Sequence, residues 1–184
     1  MDDSNIRDVV KVYRDGSKYE GGWKDGMKHG YGVMSYTTGH VYKGNYINGV
    51  VNGQGFVTFR NGDTYKGNYK DNKKHGNGVY TWRNGDKYEG NWLLNLSNGS
   101  GIMTYSNGTI EKGENNPKGL HFIFPLELNG ISALSKKVGL FKVINKSGEI
   151  NYKYYNDNGV IDNEKTKNYN MSNKYMPMEL KPVE

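Results

Sequence analysis

A single 23-residue interval runs through most of this chain. Glycines recur at Gly16, Gly39, Gly62, Gly85 and Gly108, and tyrosines follow three residues later at Tyr19, Tyr42, Tyr65 and Tyr88. In step with these come Gly21, Gly44, Gly67, Gly90 and Gly113, then the large aromatics Trp23, Tyr46, Tyr69 and Trp92, then the pairs Gly30/Gly32, Gly53/Gly55, Gly76/Gly78 and Gly99/Gly101. An aromatic closes each unit at Tyr36, Phe59, Trp82 and Tyr105, with Tyr13 in that place before the first. Self-similarity at such a period marks an array of one small unit whose neighbours share a core. The array begins near Val9.

Each unit reads as two short strands. Thr64 to Tyr69 and Phe56 to Phe59 are alternating, β-favouring runs bounded by glycine and asparagine. The link between units is Asn-Gly in three cases, at Asn61-Gly62, Asn84-Gly85 and Asn107-Gly108, a strong hairpin signal. Two registers are open. A two-residue loop at Asn61-Gly62 pairs Phe59 with Thr64 and scatters the aromatics over both faces. A three-residue loop, with Gly62 left-handed in a bulge, pairs Val57 with Tyr65 and Gly55 with Gly67. The second is preferred, because it puts Phe59, Val57, Tyr65 and Tyr69 on one face with small glycines beneath large rings.

The units YEGGWKDGMKHGYG, YKGNYINGVVNGQG, YKGNYKDNKKHGNG and YEGNWLLNLSNGSG resemble the MORN repeat, the membrane occupation and recognition nexus. The likeness covers roughly residues 9–115. It implies stacked hairpins in a long curved sheet, with roles in scaffolding, peptide capture, cytoskeletal or cortical organisation, or phosphoinositide contact. A fifth unit keeps Gly108 and Gly113 but has Ile110-Glu111 where the tyrosine belongs and Asn115 in place of the large aromatic, so the regular array stops there.

The expected fold is all-β: an elongated, twisted antiparallel array of hairpin repeats over 9–115, after a flexible N-terminus at 1–8. A strand-rich C-terminal cap follows at 116–161, with a hairpin around Lys146-Ser147-Gly148 and a strand presenting Phe122, Phe124, Leu126 and Leu128. The Asn-, Lys- and Glu-rich stretch 162–184 reads as a disordered tail. A second pattern lies over the first. Lys24-Asp25-Gly26-Met27-Lys28 and Lys70-Asp71-Asn72-Lys73-Lys74 alternate with Ile47-Asn48-Gly49-Val50-Val51 and Leu93-Leu94-Asn95-Leu96-Ser97. Basic and apolar loops are therefore expected to alternate along one edge, and an apolar cluster at Leu93, Leu94 and Leu96 calls for a cover: the C-terminal part with the strand carrying Phe122 and Phe124, a partner, or a second copy of the chain.

Composition narrows the function. Only 34% of residues are hydrophobic, while glycine (26) and tyrosine (16) abound, which suits thin repeats whose buried area is mostly aromatic. The chain has no cysteine, which excludes disulfides and thiolate metal sites. The opening MDDSNIRDVV has no basic start followed by an apolar run, so the expected location is the cytoplasm, at the cytoskeleton or the cytoplasmic face of a membrane. The net charge of +6 divides as −1 over 1–15, +4 over 16–115 and +3 over 116–184, too thin for a dedicated phosphate surface. The Gly-x-Gly pairs join strand to strand rather than strand to helix, so they do not read as nucleotide loops. His29 and His75 stand four strands apart, roughly 20 Å, and cannot share a zinc ion, whose bonds to nitrogen are about 2 Å. No nucleophile, base and orienter assemble from any motif. Neither a cofactor nor a metal is expected.

The expected function is therefore a non-catalytic interaction module or scaffold that grips a partner protein or peptide at a cytoskeletal or cortical structure. The aromatic face it would use comprises Tyr19, Trp23, Tyr42, Tyr46, Tyr65, Tyr69, Tyr88, Trp92, Phe59 and Trp82. Two alternatives stand beside it: an anionic, phosphoinositide-bearing membrane met by Lys28, Lys73 and Lys74, and a regulatory subunit of an enzyme acting in trans. A homodimer is a further candidate. Nucleic acid is set aside, because the repeat itself accounts for the aromatics a single-strand binder would need.

Overall fold

The glycines and Asn-Gly turns bend the chain back on itself at short, regular intervals. In the computed structural model, which describes residues 5–113, 139–156 and 161–167, this yields twelve strands. They are β1 (Arg7–Val12), β2 (Lys18–Lys24), β3 (Met27–Ser35), β4 (Val41–Ile47), β5 (Val50–Thr58), β6 (Thr64–Lys70), β7 (Lys73–Thr81), β8 (Lys87–Leu93), β9 (Leu96–Thr104), β10 (Ile110–Gly113), β11 (Gly139–Ile144) and β12 (Ile150–Tyr155). The chain divides into two compact units, Met1–Leu96 and Ser97–Glu184. The strand order is β1 to β8 in the first and β9 to β12 in the second, all antiparallel and unclosed.

Two kinds of turn alternate. Between units the loop is the three-residue one: Phe59 N–H donates to Asp63 O at 2.9 Å and Gly62 N–H to Phe59 O at 3.0 Å, with Gly62 at φ 91°. Val57 then faces Tyr65 and Gly55 faces Gly67, the preferred register. Within units the turn has only two residues, both with positive φ: Asp25-Gly26, Asn48-Gly49, Asp71-Asn72 and Leu94-Asn95. Such mirror-image turns match the twist of flanking strands. This corrects the expectation of alternating edge loops. The flanking residues are strand residues and point to opposite faces in turn, so Lys73 is exposed while Lys74 is buried.

Successive repeats are clasped along both edges. Thr37, Arg60 and Arg83 donate their N–H to Ser17 Oγ, His40 Nδ1 and Asp63 Oδ1 at 3.4, 3.3 and 2.9 Å. On the other edge Gly49, Asn72 and Asn95 donate to the carbonyls of Lys28, Val51 and Lys74 at 2.8–3.1 Å.

The core of the first unit is a row of rings. Trp23, Tyr19, Tyr46, Tyr42, Tyr69, Tyr65, Trp92 and Tyr88 follow one another with centroids 5.2–6.0 Å apart, and all but the first contact are near-perpendicular, at 81–90°. Edge-to-face packing of this kind adds to simple burial. The tyrosine of each repeat lies across the glycine pair beside it, and its hydroxyl donates three residues ahead: Tyr19 to Gly22 O at 2.8 Å, Tyr42 to Asn45 O at 3.3 Å, Tyr65 to Asn68 O at 3.1 Å. The accepting residue sits where the pairing register shifts, between Gly44 and Tyr46 for example. The bulge thus turns a carbonyl towards the hydroxyl.

In the second unit the next ladder position is Glu111, only 3% exposed, which accepts from Tyr105 Oη at 3.0 Å and pairs with Lys153 at 3.6 Å. Here β11 and β12 form another hairpin with the same loop, Asn145 N–H donating to Glu149 O and Gly148 N–H to Asn145 O. Phe141 and Tyr155 pack at 5.1 Å. Residues 163–167, expected to be disordered, are helical, and Thr166 Oγ1 accepts from Tyr154 N–H at 2.9 Å. The strand expected at Phe122, Phe124, Leu126 and Leu128 lies outside the described residues.

The ring-on-glycine contact sets a stability prediction. A Cβ at Gly55 would stand 2.5 Å from Tyr42 Oη and 2.6 Å from its Cε2, whereas one at Gly26 meets nothing within 4 Å. Gly55→Ala should cost about 1–3 kcal/mol in urea unfolding. Gly26→Asn, which tolerates the left-handed turn, should stay within about 0.5 kcal/mol of the parent. Equal costs for the two would contradict the packing argument.

Candidate functional site

The aromatic face expected to meet a partner is in large part the core. Tyr19, Tyr42, Tyr46, Tyr65, Tyr88 and Trp92 are 0–5% exposed. The physical reason is the single-sided ladder: each ring packs edge to face against a ring of its own strand or of the strand two along, so its open side is already filled. Trp92 also donates its indole N–H to Gly78 O at 3.1 Å. Trp23, Phe59, Tyr69 and Trp82 are half-buried, and Tyr36 is 40% exposed. Trp23 and Tyr69 belong to the ladder; Tyr36, Phe59 and Trp82 form the open flank of the face.

Tyr80, which the repeat pattern did not single out, and Lys74, expected at a lipid surface, concentrate chemistry in the third repeat. Where the others carry Met34, Val57 and Met103, this repeat has Tyr80. At the position held by Lys28, Val51 and Ser97 in the other repeats, it has Lys74, a lysine as in the first. Tyr80 joins the flank, 5.7 Å from Phe59 and 4.9 Å from Trp82, and its hydroxyl donates to Asp63 Oδ2 at 2.7 Å. Asp63 is buried and also accepts from Asn61 Nδ2 at 2.8 Å. Burial, then the bonded Asp63, holds the Tyr80 phenol far above its ordinary range.

The Lys74 ammonium lies over four rings, with centroid distances of 5.4 Å to Phe59, 5.0 Å to Tyr65, 4.5 Å to Tyr80 and 4.7 Å to Trp92. Such cation–π contacts recover part of the solvation lost on burial. Burial nevertheless lowers its pKa to about 7, with Asp63 pulling only partly the other way.

The three lysines expected to meet lipid therefore do not converge. Lys74 is covered, Lys28 is half-buried with its ammonium 4.9 Å from the Tyr46 ring, and Lys73 is on the opposite face. Of the expected cap contacts, Leu93 and Leu94 are 42% and 58% exposed, Leu96 is half-buried, and Phe122 and Phe124 lie outside the described residues. His29 and His40 brace turns, against Asn48 Oδ1 at 3.3 Å and Arg60 N–H at 3.3 Å. Among the described residues no group of three or more metal-ligating side chains is gathered, and no helix is long and apolar enough to cross a membrane.

Lys74 makes stability depend on pH with a definite sign. Below pH 7 the amine is protonated in both states. Between about 7 and the 10.5 of an exposed lysine, the unfolded chain holds a proton that the folded chain has lost. Stability therefore rises with pH, by at most about 1.4 kcal/mol per unit. Above about 10 the buried phenols, Tyr19 among them at about 12, reverse the slope, because the unfolded chain loses those protons first. Thermal melts of the parent across this range should show the rise, and Lys74→Met should remove the larger part of it, leaving the share of Lys28, whose pKa burial also lowers. An unchanged slope in the variant would assign the rise to other groups.

Comparison with known proteins places this geometry. A search of curated proteins finds no match. Among solved structures, the TCP10c domain of Drosophila melanogaster Sas-4 is similar at 12% identity over 80% of this chain and 97% of that one, with a TM-score of 0.40. The Drosophila SAS-4 (dCPAP) TCP domain, in complex with a proline-rich motif of Ana2 (dSTIL), matches at 12% identity over 83% and 92%, TM-score 0.41. The wild-type TCP10 domain of Danio rerio CPAP matches at 13% over 84% and 75%, TM-score 0.40. The MORN repeat family model matches four times in tandem, at residues 19–41, 42–64, 65–87 and 88–110. These matches contain the tyrosines, glycines and second aromatics that build the ladder, and the chain belongs to the MORN-repeat family.

Proposed function

We propose that this chain is a non-catalytic interaction module, a scaffold that holds a partner protein or peptide at a cytoskeletal or cortical structure of the cytoplasm. The observation that supports this is the open flank of the aromatic face. Tyr36, Phe59, Tyr80 and Trp82 keep exposed or half-buried rings beside a core that has already used the other aromatics. Large, rigid side chains with little rotamer freedom to lose are the usual anchors of a protein interface. The edge clasps and the ladder hold them in place before a partner arrives, which lowers the ordering cost of binding. The lipid alternative is not carried forward, since Lys28 and Lys74 turn their ammonium groups onto the chain's own rings.

The test is proximity labelling in native cells, comparing the parent with Tyr36→Ala/Trp82→Ala. Neither residue belongs to the ladder, so the double variant should lose about 1–2 kcal/mol and remain folded. Loss of a defined set of labelled proteins, with cytoskeletal or cortical components among them, is the expected result. A folded variant that keeps every neighbour of the parent would refute the flank as the binding surface.

A further inference from the structure

The sheet of the first unit has a second face, opposite the ladder, whose composition the repeat does not explain. Across five consecutive strands its residues pair in one row: Val33 with Lys43, Lys43 with Phe56, Phe56 with Lys66, and Lys66 with Val79. Phe56 is 37% exposed and Ile47, at the turn end of β4, 43%. Lys43 and Lys66 are exposed. Glu20 and Glu89 stand at the two ends of the row, opposite Val33 and Val79. Each is engaged by its own neighbour, Glu20 by Lys18 at 2.7 Å and Glu89 by Lys87 at 3.3 Å.

The middle of the face has no such balance. Lys43, Lys66, Lys70 and Lys73 make no ion pair among the described residues. Lys70 and Lys73 lie directly opposite one another across β6 and β7, an arrangement that destabilises a sheet. Asp71, in the turn between them, bridges neither. Two uncompensated cations flanking an exposed phenylalanine, with two more further along the same face, mark a surface complementary to acid.

We propose that this face docks an acidic, amphipathic helix of a partner protein, laid across β4 to β7, with two carboxylates on Lys43 and Lys66 and an apolar side chain between them on Phe56. The spacing selects the helix. Lys43 and Lys66 stand two strands apart, about 9.6 Å. Residues i and i+7 of a helix are about 10.5 Å apart on one face, and i+3 and i+4 lie between them on that face. An extended segment repeats on one face at about 6.6 or 13 Å and misses this interval. Lys70 and Lys73 extend the basic area beside Ile47 and Val50. The site is independent of the aromatic flank, which lies on the other side of the sheet.

The test uses the full chain and a synthetic, fluorescently labelled helical peptide with Glu at i and i+7 and Leu at i+3 and i+4, beside a permuted peptide of the same composition. Anisotropy should show binding of the patterned peptide that weakens as salt rises. Lys43→Glu/Lys66→Glu should weaken it about tenfold or more, and Phe56→Ser should weaken it less but clearly. Trp82→Ala should leave it unchanged, which separates this face from the flank. A basic peptide of the same pattern should bind the Lys43→Glu/Lys66→Glu chain and not the parent, so a misfolded variant cannot be mistaken for support. Equal binding of the permuted peptide, no rescue by the basic peptide, or binding of phosphatidylserine vesicles without binding of the patterned peptide would each overturn the proposal.

Discussion

A tyrosine ring lying flat over two facing glycines is the contact from which the rest of this structure follows. At Gly55 a single methyl would collide with the Tyr42 ring, so the glycine pair and the tyrosine form one device rather than two. With the ring held down, its hydroxyl reaches the carbonyl turned out by the bulge three residues ahead, and the ring meets the second aromatic of its own strand and that of the next repeat. Each repeat thereby supplies half of a contact that only the next repeat completes. That is why such units are stable as an array and not singly, and why a chain with so little aliphatic content can keep a core.

This economy has a consequence for function. The ladder uses most of the large aromatics of the first unit, so what the protein can offer to a partner is decided by departures from the repeat. In the third repeat, Tyr80 replaces an aliphatic residue, Lys74 stands where the second and fourth repeats have Val51 and Ser97, and a buried carboxylate at Asp63 ties the phenol of Tyr80 to the adjoining turn. The fourth repeat places Leu94 at φ 51° in a two-residue turn, a conformation a bulky residue seldom adopts. At the next ladder position, Glu111 replaces the tyrosine and is held by Tyr105 and Lys153. Regular positions build the scaffold; irregular ones differentiate it.

Much of this was legible in the sequence. The period located every hairpin of the array, and the Asn61-Gly62 link, with the demand for glycines under rings, selected the register that pairs Val57 with Tyr65. By composition the stretch Lys70 to Lys74 reads as a loop, because Asp71-Asn72 is a less familiar two-residue turn than Asn-Gly. Once the turn is that short, strand alternation sends Lys73 and Lys74 to opposite faces. The short helix at 163–167 was missed for another reason: its composition is polar, and Thr166 is held through the backbone of Tyr154, a contact no local pattern announces.

The sequence by itself determined the repeat and the hairpins between repeats, with the preferred register that puts Val57 and Tyr65 on one face, since these depend on spacing and on the two-residue alternation of a strand. Only the tertiary structure decided which of the two sides is filled. Whether the ring of Tyr65 is a binding surface or a core depends on whether Trp92, 27 positions away, comes to rest against it at 5.2 Å. Burial is a property of the neighbours that converge on a residue, and the distance between stacked repeats sets those neighbours. For the same reason the ammonium of Lys74, one of several similar lysines in the sequence, became the one enclosed by four rings.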